Sequence, residues 1–229
     1  MLLLKTVRKI IKNVKDKYFK FLEVIKLYAE SLRKLTSLLI LINLSTYGFL
    51  AFLSKNPLII DYNLLAIYGQ YNLFVYEGWY WQLFTSLFIH ANLLHVLGNS
   101  LFLAFFGFKA EELFTKKVYL FTYFASGLTG NLLTLLMGAN IVSVGASGAI
   151  FGLFGASTIY MRKTMNQSIL SALIYAMYLF LMNIGANINL VSHLGGLATG
   201  LMIGYILAKK PRSYYTLHYS IRYVNVTIP

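Results

Sequence analysis

Long apolar runs are the feature of this sequence that most limits how the chain can fold. Six of them are each near the length that crosses a bilayer as an α-helix, and none alternates with the two-residue period of a membrane barrel strand. Hydrophobic residues make up 58% of the chain and charged residues 12%, which is too apolar for a soluble domain. We therefore predict an all-α membrane protein, a bundle of six transmembrane helices. The predicted spans lie at residues 36–53, 92–108, 118–137, 146–161, 168–184 and 191–208.

The net charge of +13 follows the connections between these spans. Ten of the twenty Lys and Arg residues lie between Lys5 and Lys34, ahead of the first span. Basic residues occur in alternate connections between the spans, and the three connections on the opposite side of the membrane hold only Lys55. The positive-inside rule therefore predicts a multi-pass protein of the cell membrane with both termini in the cytoplasm. This distribution explains the charge without a nucleic-acid partner. Further basic residues on the predicted inner side are Lys109, Lys116, Lys117, Arg162, Lys163, Lys209, Lys210 and Arg212, and Arg222 lies in the C-terminal tail.

Two flanking segments enclose the predicted core, which comprises residues 35–208. Residues 1–34 are basic and carry an apolar stripe at helical spacing. This pattern fits a helix lying on an anionic membrane surface as well as a solvated helix folded against the same protein. Residues 209–229 form a cytoplasmic tail without helical periodicity.

The first outer connection, residues 54–91, is longer than the others. It contains Trp79, Tyr80, Trp81 and Phe84 among polar residues. Because Trp and Tyr favour the headgroup region, we predict that this loop is partly inserted into the membrane.

Four polar side chains are predicted to meet in the outer half of the bundle. Ser147 and His193 begin the fourth and sixth spans from the outer side, while His95 and Asn99 lie on one face near the outer start of the second. Alone, each histidine is more typical of a helix cap, and the small-residue run at 145–152 is more typical of helix packing. Together at one depth they indicate a functional site, because buried polar groups in a membrane are costly.

The chemistry that fits these groups is nucleophilic catalysis. A serine hydroxyl becomes a nucleophile when a histidine accepts its proton, so His193 is the predicted base for Ser147. No Asp or Glu follows Glu112, so we predict a Ser–His dyad without a carboxylate. Contact between the fourth and sixth helices would be allowed by glycines four residues apart: Gly148 and Gly152 on one, and Gly196, Gly200 and Gly204 on the other.

Attack on a peptide carbonyl produces an oxyanion, which needs hydrogen-bond donors already in place. The side chains of His95 and Asn99 are the predicted donors from the second helix. The backbone N–H of Ser147, at a helix N-terminus, would add a third.

Three motifs of this sequence together resemble those of the rhomboid intramembrane serine proteases, over about residues 36–208. They are the run from His90 to Asn99 (HANLLHVLGN), Gly145-Ala146-Ser147-Gly148, and His193-Leu194-Gly195-Gly196. The resemblance implies a six-helix core that cleaves transmembrane helices near their outer ends. It matches Ser147 to the nucleophile, His193 to the base, and His95 with Asn99 to the oxyanion-binding side chains. It also matches Gly145 to the first glycine of the serine motif, and His90 to a histidine with a role in local hydrogen bonding or water retention.

Two positions stand apart from these motifs. Rhomboids often carry a Trp-Arg pair in the first outer loop, but here Gln82 follows Trp81, so the sequence does not predict how the loop is anchored. Glu111 resembles a glutamate found at the inner end of the second helix, and we expect it to be structural.

The predicted partners are transmembrane protein substrates and the lipid bilayer, with no metal and no cofactor. The sequence leaves two other classes of protein open. A rhomboid-like protein could bind membrane clients without cutting them, although such proteins usually lack the serine or the histidine present here. A small transporter is disfavoured because spans three to six hold no acidic residue and the sequence shows no internal repeat.

Overall fold

The computed structural model of this protein describes residues 34–165 and 188–209, together with Phe19, Ser168, Leu170 and Ile174. Most of the predicted segment 1–34, most of the fifth predicted span and the tail beyond Lys209 lie outside the described residues. The elements are α1 (Lys34–Leu53), α2 (Tyr62–Tyr68), β1 (Gln70–Tyr71), α3 (Asn72–Tyr76), α4 (Gln82–Thr85), a 3-10 turn (Ser86–Phe88), α5 (Leu93–Leu113), α6 (Lys116–Thr134), a 3-10 turn (Leu135–Met137), β2 (Val142–Ser143), α7 (Ser147–Thr164) and α8 (Leu190–Lys209).

Four helices in the described part of the chain are long and apolar enough to cross a membrane. They coincide with the first, second, third and sixth predicted spans, which confirms an all-α membrane fold. At the fourth predicted span, α7 is a helix of 18 residues, but its small residues and its terminal Arg162 and Lys163 make it less apolar. The count of six spans stays a prediction. The four candidate spans are Leu35–Leu53, Leu93–Leu113, Lys116–Met137 and Leu190–Lys209.

The C-terminal end of α5 continues beyond the predicted limit at residue 108, because its charged residues have partners. Lys109 and Glu112 form a salt bridge of 3.1 Å one turn apart. Glu111 is buried and its carboxylate accepts hydrogen bonds from the backbone N–H groups of Leu35 and Thr36, both at 3.0 Å. The first N–H groups of a helix have no partner within it, so Glu111 caps α1 from a neighbouring helix.

The helices α7 and α8 lie in direct backbone contact. A Cβ atom added to Gly196 would collide with the carbonyl oxygen of Gly148, and one added to Gly200 would collide with that of Gly152. Glycine is therefore required at both positions for the two helices to lie this close together. α6 packs against both of them, α5 packs against α7, and α1 packs against α5.

The first outer connection folds into the short helices α2, α3 and α4 and the strand β1. This strand pairs antiparallel with β2, Gln70 opposite Ser143 and Tyr71 opposite Val142. The short ladder is an addition to the expected all-helical bundle. It forms because the two extended segments meet outside the helices, where their backbone groups need partners.

Gln82 anchors this loop at the position where rhomboids often have arginine. Its side-chain NH₂ donates to the carbonyl oxygens of Ala66 at 2.8 Å and Ile67 at 2.9 Å, and its oxygen accepts from the N–H of Tyr71 at 2.9 Å. The side chain is completely buried. A neutral amide thus satisfies the turn between α2 and β1 without bringing a charge into the interior.

A second set of buried amides fixes the loop to the C-terminal end of α6. Asn131 donates to the carbonyl oxygen of Leu83 at 2.7 Å and to the hydroxyl of Ser86 at 2.8 Å. Asn72 donates to the carbonyl oxygens of Thr134 and Gly138 at 2.9 and 2.7 Å. The loop is therefore a folded cover on the bundle, held by hydrogen bonds at several points.

Candidate active site

The shortest contact between predicted site residues joins α7 to α8. The Oγ atom of Ser147, the first residue of α7, lies 2.7 Å from Nε2 of His193 in the first turn of α8. This is hydrogen-bond distance. The contact between Gly148 and Gly196 lies within one turn of both residues, so the glycine packing sets this separation.

The imidazole of His193 is buried and held by packing. The ring of Phe151 lies 4.8 Å from it between centroids, at an interplanar angle of 33°. Its Nδ1 atom has no hydrogen-bond partner among the described residues, in keeping with the absence of any Asp or Glu after Glu112. The structure therefore brings Ser147 and His193 together without a carboxylate to orient the ring.

Asn189 is a site residue that the sequence reasoning missed. Its side-chain NH₂ donates to Thr134 Oγ1 at 2.7 Å and to Ser143 Oγ at 2.8 Å, and its side-chain Oδ1 accepts from the backbone N–H of Ser192 at 3.0 Å. The backbone carbonyl oxygen of Asn189 accepts from the backbone N–H of His193 at 3.2 Å. An asparagine four residues before His193 at a helix start is a typical N-cap, which is the signal that could have identified it. Phe151, four residues after Ser147, could similarly have been found by helical spacing.

His95 approaches Ser147 across Gly145. This glycine has a φ of 121°, which L-residues with side chains rarely adopt. A Cβ atom at Gly145 would lie 2.8 Å from His95 Nε2 and 3.8 Å from Ser147 Oγ. Glycine is therefore favoured at position 145 for two reasons: its backbone has a positive φ, and a side chain there would collide with the His95 ring. The backbone N–H of Gly145 donates to the carbonyl oxygen of Ser86 at 2.9 Å.

Asn99 lies one turn beyond His95 on the same face of α5. It is buried, and its Nδ2 donates to the carbonyl oxygen of His95 at 3.0 Å. Its Oδ1 has no hydrogen-bond partner among the described residues. The N–H of His95 donates in turn to the Oδ1 of Asn92, the N-cap of α5, at 2.8 Å. The helix turn that presents His95 is thus fixed at both ends.

His90 lies behind His95, before α5 begins. Its ring is fully buried, 5.1 Å from the His95 ring between centroids, with Nδ1 3.3 Å from the carbonyl oxygen of Phe88. Burial, together with a smaller repulsion from His95, lowers the pKa of His90 to about 3, and the bond to Phe88 opposes this shift. The imidazole is consequently neutral at physiological pH, and its Nδ1–H can donate to Phe88.

These groups open into one pocket of about 790 Å³. Its polar residues include His95, Asn99, Ser147 and His193, and the other large side chains that α5 and α7 contribute to its wall are apolar. The arrangement suits an apolar chain segment with a peptide group presented to the serine. Within the described ranges, no cluster of three or more His, Asp or Glu residues could hold a metal ion. The apolar wall includes Leu94, Phe102, Phe106, Phe151 and Phe154.

Comparison with known proteins places these observations in a family. The model of the rhomboid domain matches residues 77–210, which is more than half of the chain. The chain belongs to the rhomboid family. The resemblance seen in the three sequence motifs is thereby confirmed, and with its apolar helices this rhomboid is a multi-pass membrane protein.

Several relatives align with this rhomboid at about one third identity. The putative rhomboid protease YdcA of Bacillus subtilis (strain 168) is 35% identical over 153 residues, covering 63% of this chain and 76% of that protein. RHOMBOID-like protein 1 of Arabidopsis thaliana is 35% identical over 141 residues, covering 59% of this chain and 36% of that protein. Rhomboid-like protease 3 of Toxoplasma gondii is 32% identical over 131 residues, covering 54% and 50%. The chain thus spans half or less of the length of the last two.

Proposed function

We propose that this rhomboid is an intramembrane serine endopeptidase, with Ser147 as nucleophile and His193 as general base. The observation that carries the proposal is the 2.7 Å separation of Ser147 Oγ from His193 Nε2 inside a pocket open to a substrate. The names of two relatives, a putative rhomboid protease and a rhomboid-like protease, support the same activity. The substrates would be membrane proteins, cut in or near their transmembrane helices.

The proposed reaction uses the imidazole twice. With the ring protonated at Nδ1, the Ser147 hydroxyl donates to Nε2, which accepts the proton as Oγ attacks the peptide carbonyl. The imidazolium then gives that proton to the leaving amine, and an acyl-serine ester forms. A water molecule hydrolyses the ester by the same route in reverse, releasing the acid and restoring the hydroxyl.

The oxyanion formed at each step would be bound by donors around Gly145. The His95 ring lies against that glycine, and the backbone N–H of Ser147 belongs to the unpaired first turn of α7. The amide of Asn99 is the third candidate. It would add its donor through the N–H that is not bonded to His95 O.

A helical substrate has to unwind before its carbonyl can reach Ser147, because helix hydrogen bonds hide the backbone. We expect Gly, Pro or polar residues near the outer end of the substrate helix to favour cleavage, because they weaken the helix. The proposed placement is in the cell membrane, with both termini cytoplasmic and the site opening outward. It keeps residues 35–208 as the catalytic core, 1–34 as a basic membrane-proximal segment and 209–229 as a tail.

The Ser147→Ala variant tests the proposal with a single-span model substrate in lipid vesicles. We expect cleavage to fall to background while thermal unfolding is unchanged, because Oγ is lost without altering the glycine contacts. A fluorophosphonate probe should label the wild type at Ser147, and should fail to label His193→Ala, which lacks the base. If Ser147→Ala cleaved the substrate as fast as the wild type, the proposed serine endopeptidase activity of Ser147 would be excluded. Substrate capture without cleavage by the wild type would instead favour a client-binding protein.

A further inference from the structure

Two lysines from different helices converge on one aromatic ring at the opposite end of the bundle from Ser147. The Nζ atom of Lys163, near the end of α7, lies 3.6 Å from the centroid of the Tyr205 ring. The Nζ of Lys209, the last residue of α8, lies 4.7 Å from the same centroid. We call these three residues the inner basic cluster.

Among the described residues, no carboxylate forms a salt bridge with either lysine of this cluster. No Asp or Glu follows Glu112 in the sequence. Of the two acids at the inner end of α5, Glu111 is buried on the N-terminus of α1 and Glu112 is paired with Lys109. A ring quadrupole attracts a cation but does not cancel its charge, and two ammonium groups on one ring repel each other. The arrangement is therefore complementary to an external anion.

The position of the cluster indicates where that anion comes from. Lys163 and Lys209 occupy the last turns of two adjacent helices that run through the bundle, so they lie where a membrane helix leaves the hydrocarbon layer. Tyr205 is exposed, and Tyr rings favour this level of the membrane. At this depth the phosphate groups of phospholipids are the most concentrated anions.

Lysines in the last turn of a helix also complement its dipole, and this alone could account for one lysine on each helix. It does not account for their convergence on a shared ring. Each helix terminus would be served equally well by a lysine pointing away from the other. The contact of both lysines with the same Tyr205 ring therefore indicates a binding site, in addition to the favourable interaction of each lysine with its own helix dipole.

We propose that Lys163 and Lys209, positioned by Tyr205, bind the phosphate of an anionic phospholipid in the leaflet facing the inner end of the bundle. The tyrosine ring holds the two side chains in place, so less conformational entropy is lost when the lipid binds. Basic pockets between the ends of membrane helices are a known form of lipid-headgroup site. This site does not depend on the proposed protease activity.

Native mass spectrometry of the full chain, released from mixed phosphatidylcholine and phosphatidylglycerol nanodiscs, tests the proposal. We expect the wild type to retain phosphatidylglycerol selectively, and the double variant Lys163→Gln/Lys209→Gln to bind it more weakly by about five-fold for each lysine removed. Tyr205→Leu should also weaken binding while keeping both charges. Thermal unfolding of each variant in neutral detergent establishes that it is folded.

Lys116→Gln/Lys117→Gln is the matched control, because it removes two exposed lysines from the start of α6 and leaves Tyr205 untouched. Equal loss of phosphatidylglycerol by this control would overturn the proposal in favour of a diffuse charge effect. Unchanged retention by the Lys163→Gln/Lys209→Gln variant would overturn it directly. Complete displacement of the lipid by inorganic phosphate would show a site for the free ion instead.

Discussion

Asn189 joins three elements through a single amide group. It connects the start of α8 to Thr134 at the end of α6 and to Ser143 in β2, and its carbonyl accepts the N–H of His193. No carboxylate of the described residues orients the imidazole, so its position depends on the placement of this helix turn. Asn189 is therefore a positioning residue for the proposed base.

Replacing Asn189 tests this role. We expect Asn189→Leu to lower kcat by on the order of 100-fold with little change in KM, because a small displacement of the base costs about that much. Asn189→Ser is the matched variant, since it keeps an N-cap oxygen but loses both amide donors. Wild-type kcat in Asn189→Ser would show that the residue acts only as a helix cap. Kinetics on a model substrate, with thermal unfolding as the folding check, decides between the two.

His90 gives the folded protein a defined response to acid. The pKa of its imidazole is about 3 in the fold and near 6.5 when exposed. Between these values the unfolded chain binds a proton that the folded chain does not, so the free energy of unfolding falls as the pH falls. We expect His90→Gln, which does not titrate, to lose less stability than the wild type between neutral pH and about pH 4. Parallel pH profiles of urea unfolding for the two proteins would contradict this.

The loop of residues 54–91 presents a row of exposed aromatic side chains. The rings of Trp79 and Trp81 are stacked at 5.7 Å, and Trp79 packs on Phe74 at 4.7 Å. Tyr80 beside them is 68% exposed. Such a surface suits the headgroup level of a membrane, so partial insertion of the loop stays our prediction.

The chain contains only two tryptophans, Trp79 and Trp81, so tryptophan fluorescence reports on this loop alone. In vesicles with lipids brominated near the headgroup we expect strong quenching, and weaker quenching when the bromines lie near the chain ends. Gln82→Leu removes the three hydrogen bonds that anchor the loop. In this variant the difference in quenching between shallow and deep bromines should be smaller, because the loop is held less firmly and its tryptophans sample a wider range of depths. Emission at the wavelength of water-exposed tryptophan, without quenching, would mean that the loop stays outside the bilayer.

The loop also shows where sequence reasoning stopped. Its aromatic residues predicted a membrane interface, since composition alone carries that signal. The anchoring by Gln82, Asn72 and Asn131 was not predictable, because their partners are backbone carbonyls brought close only by folding. The β1–β2 ladder was not predictable either, because strands of two residues are too short to show a two-residue period in the sequence.

The glycine contacts decide how α7 and α8 fit together in the bundle. Spacings in the sequence predicted this contact, because small residues four apart lie on one helix face. Ser147 and His193 could be predicted as a pair from their motifs, each at the outer start of a span. The distance between their side chains could not be predicted, since it depends on how closely the backbones of Gly148 and Gly196 approach each other, which only the structure gives.

Two glycine-to-alanine variants test this packing with the same chemical change. Gly200→Ala places a Cβ against the backbone of Gly152, and we expect it to lower the free energy of unfolding by about 1–3 kcal/mol. It should also slow fluorophosphonate labelling of Ser147, because the helices move apart. Gly48→Ala in α1 is the control, because no described atom outside the nearby backbone of its own helix lies within 4 Å of an added Cβ. It should not lower the free energy of unfolding, since alanine is the better helix former, and it should leave the labelling rate unchanged. Equal stability of the two variants in denaturant titrations would refute the packing argument.

The hydrogen bonds of Asn189 have one more effect, through the strand that they reach. Ser143 belongs to β2, β2 is paired with β1, and β1 is tied to the aromatic loop by Gln82. An unbroken series of short bonds thus runs from residues suited to the lipid headgroups to the turn that carries His193. If the aromatic loop enters the headgroup layer as we predict, a change in bilayer thickness would pull on the loop, and we expect these bonds to carry part of that displacement to the turn of His193.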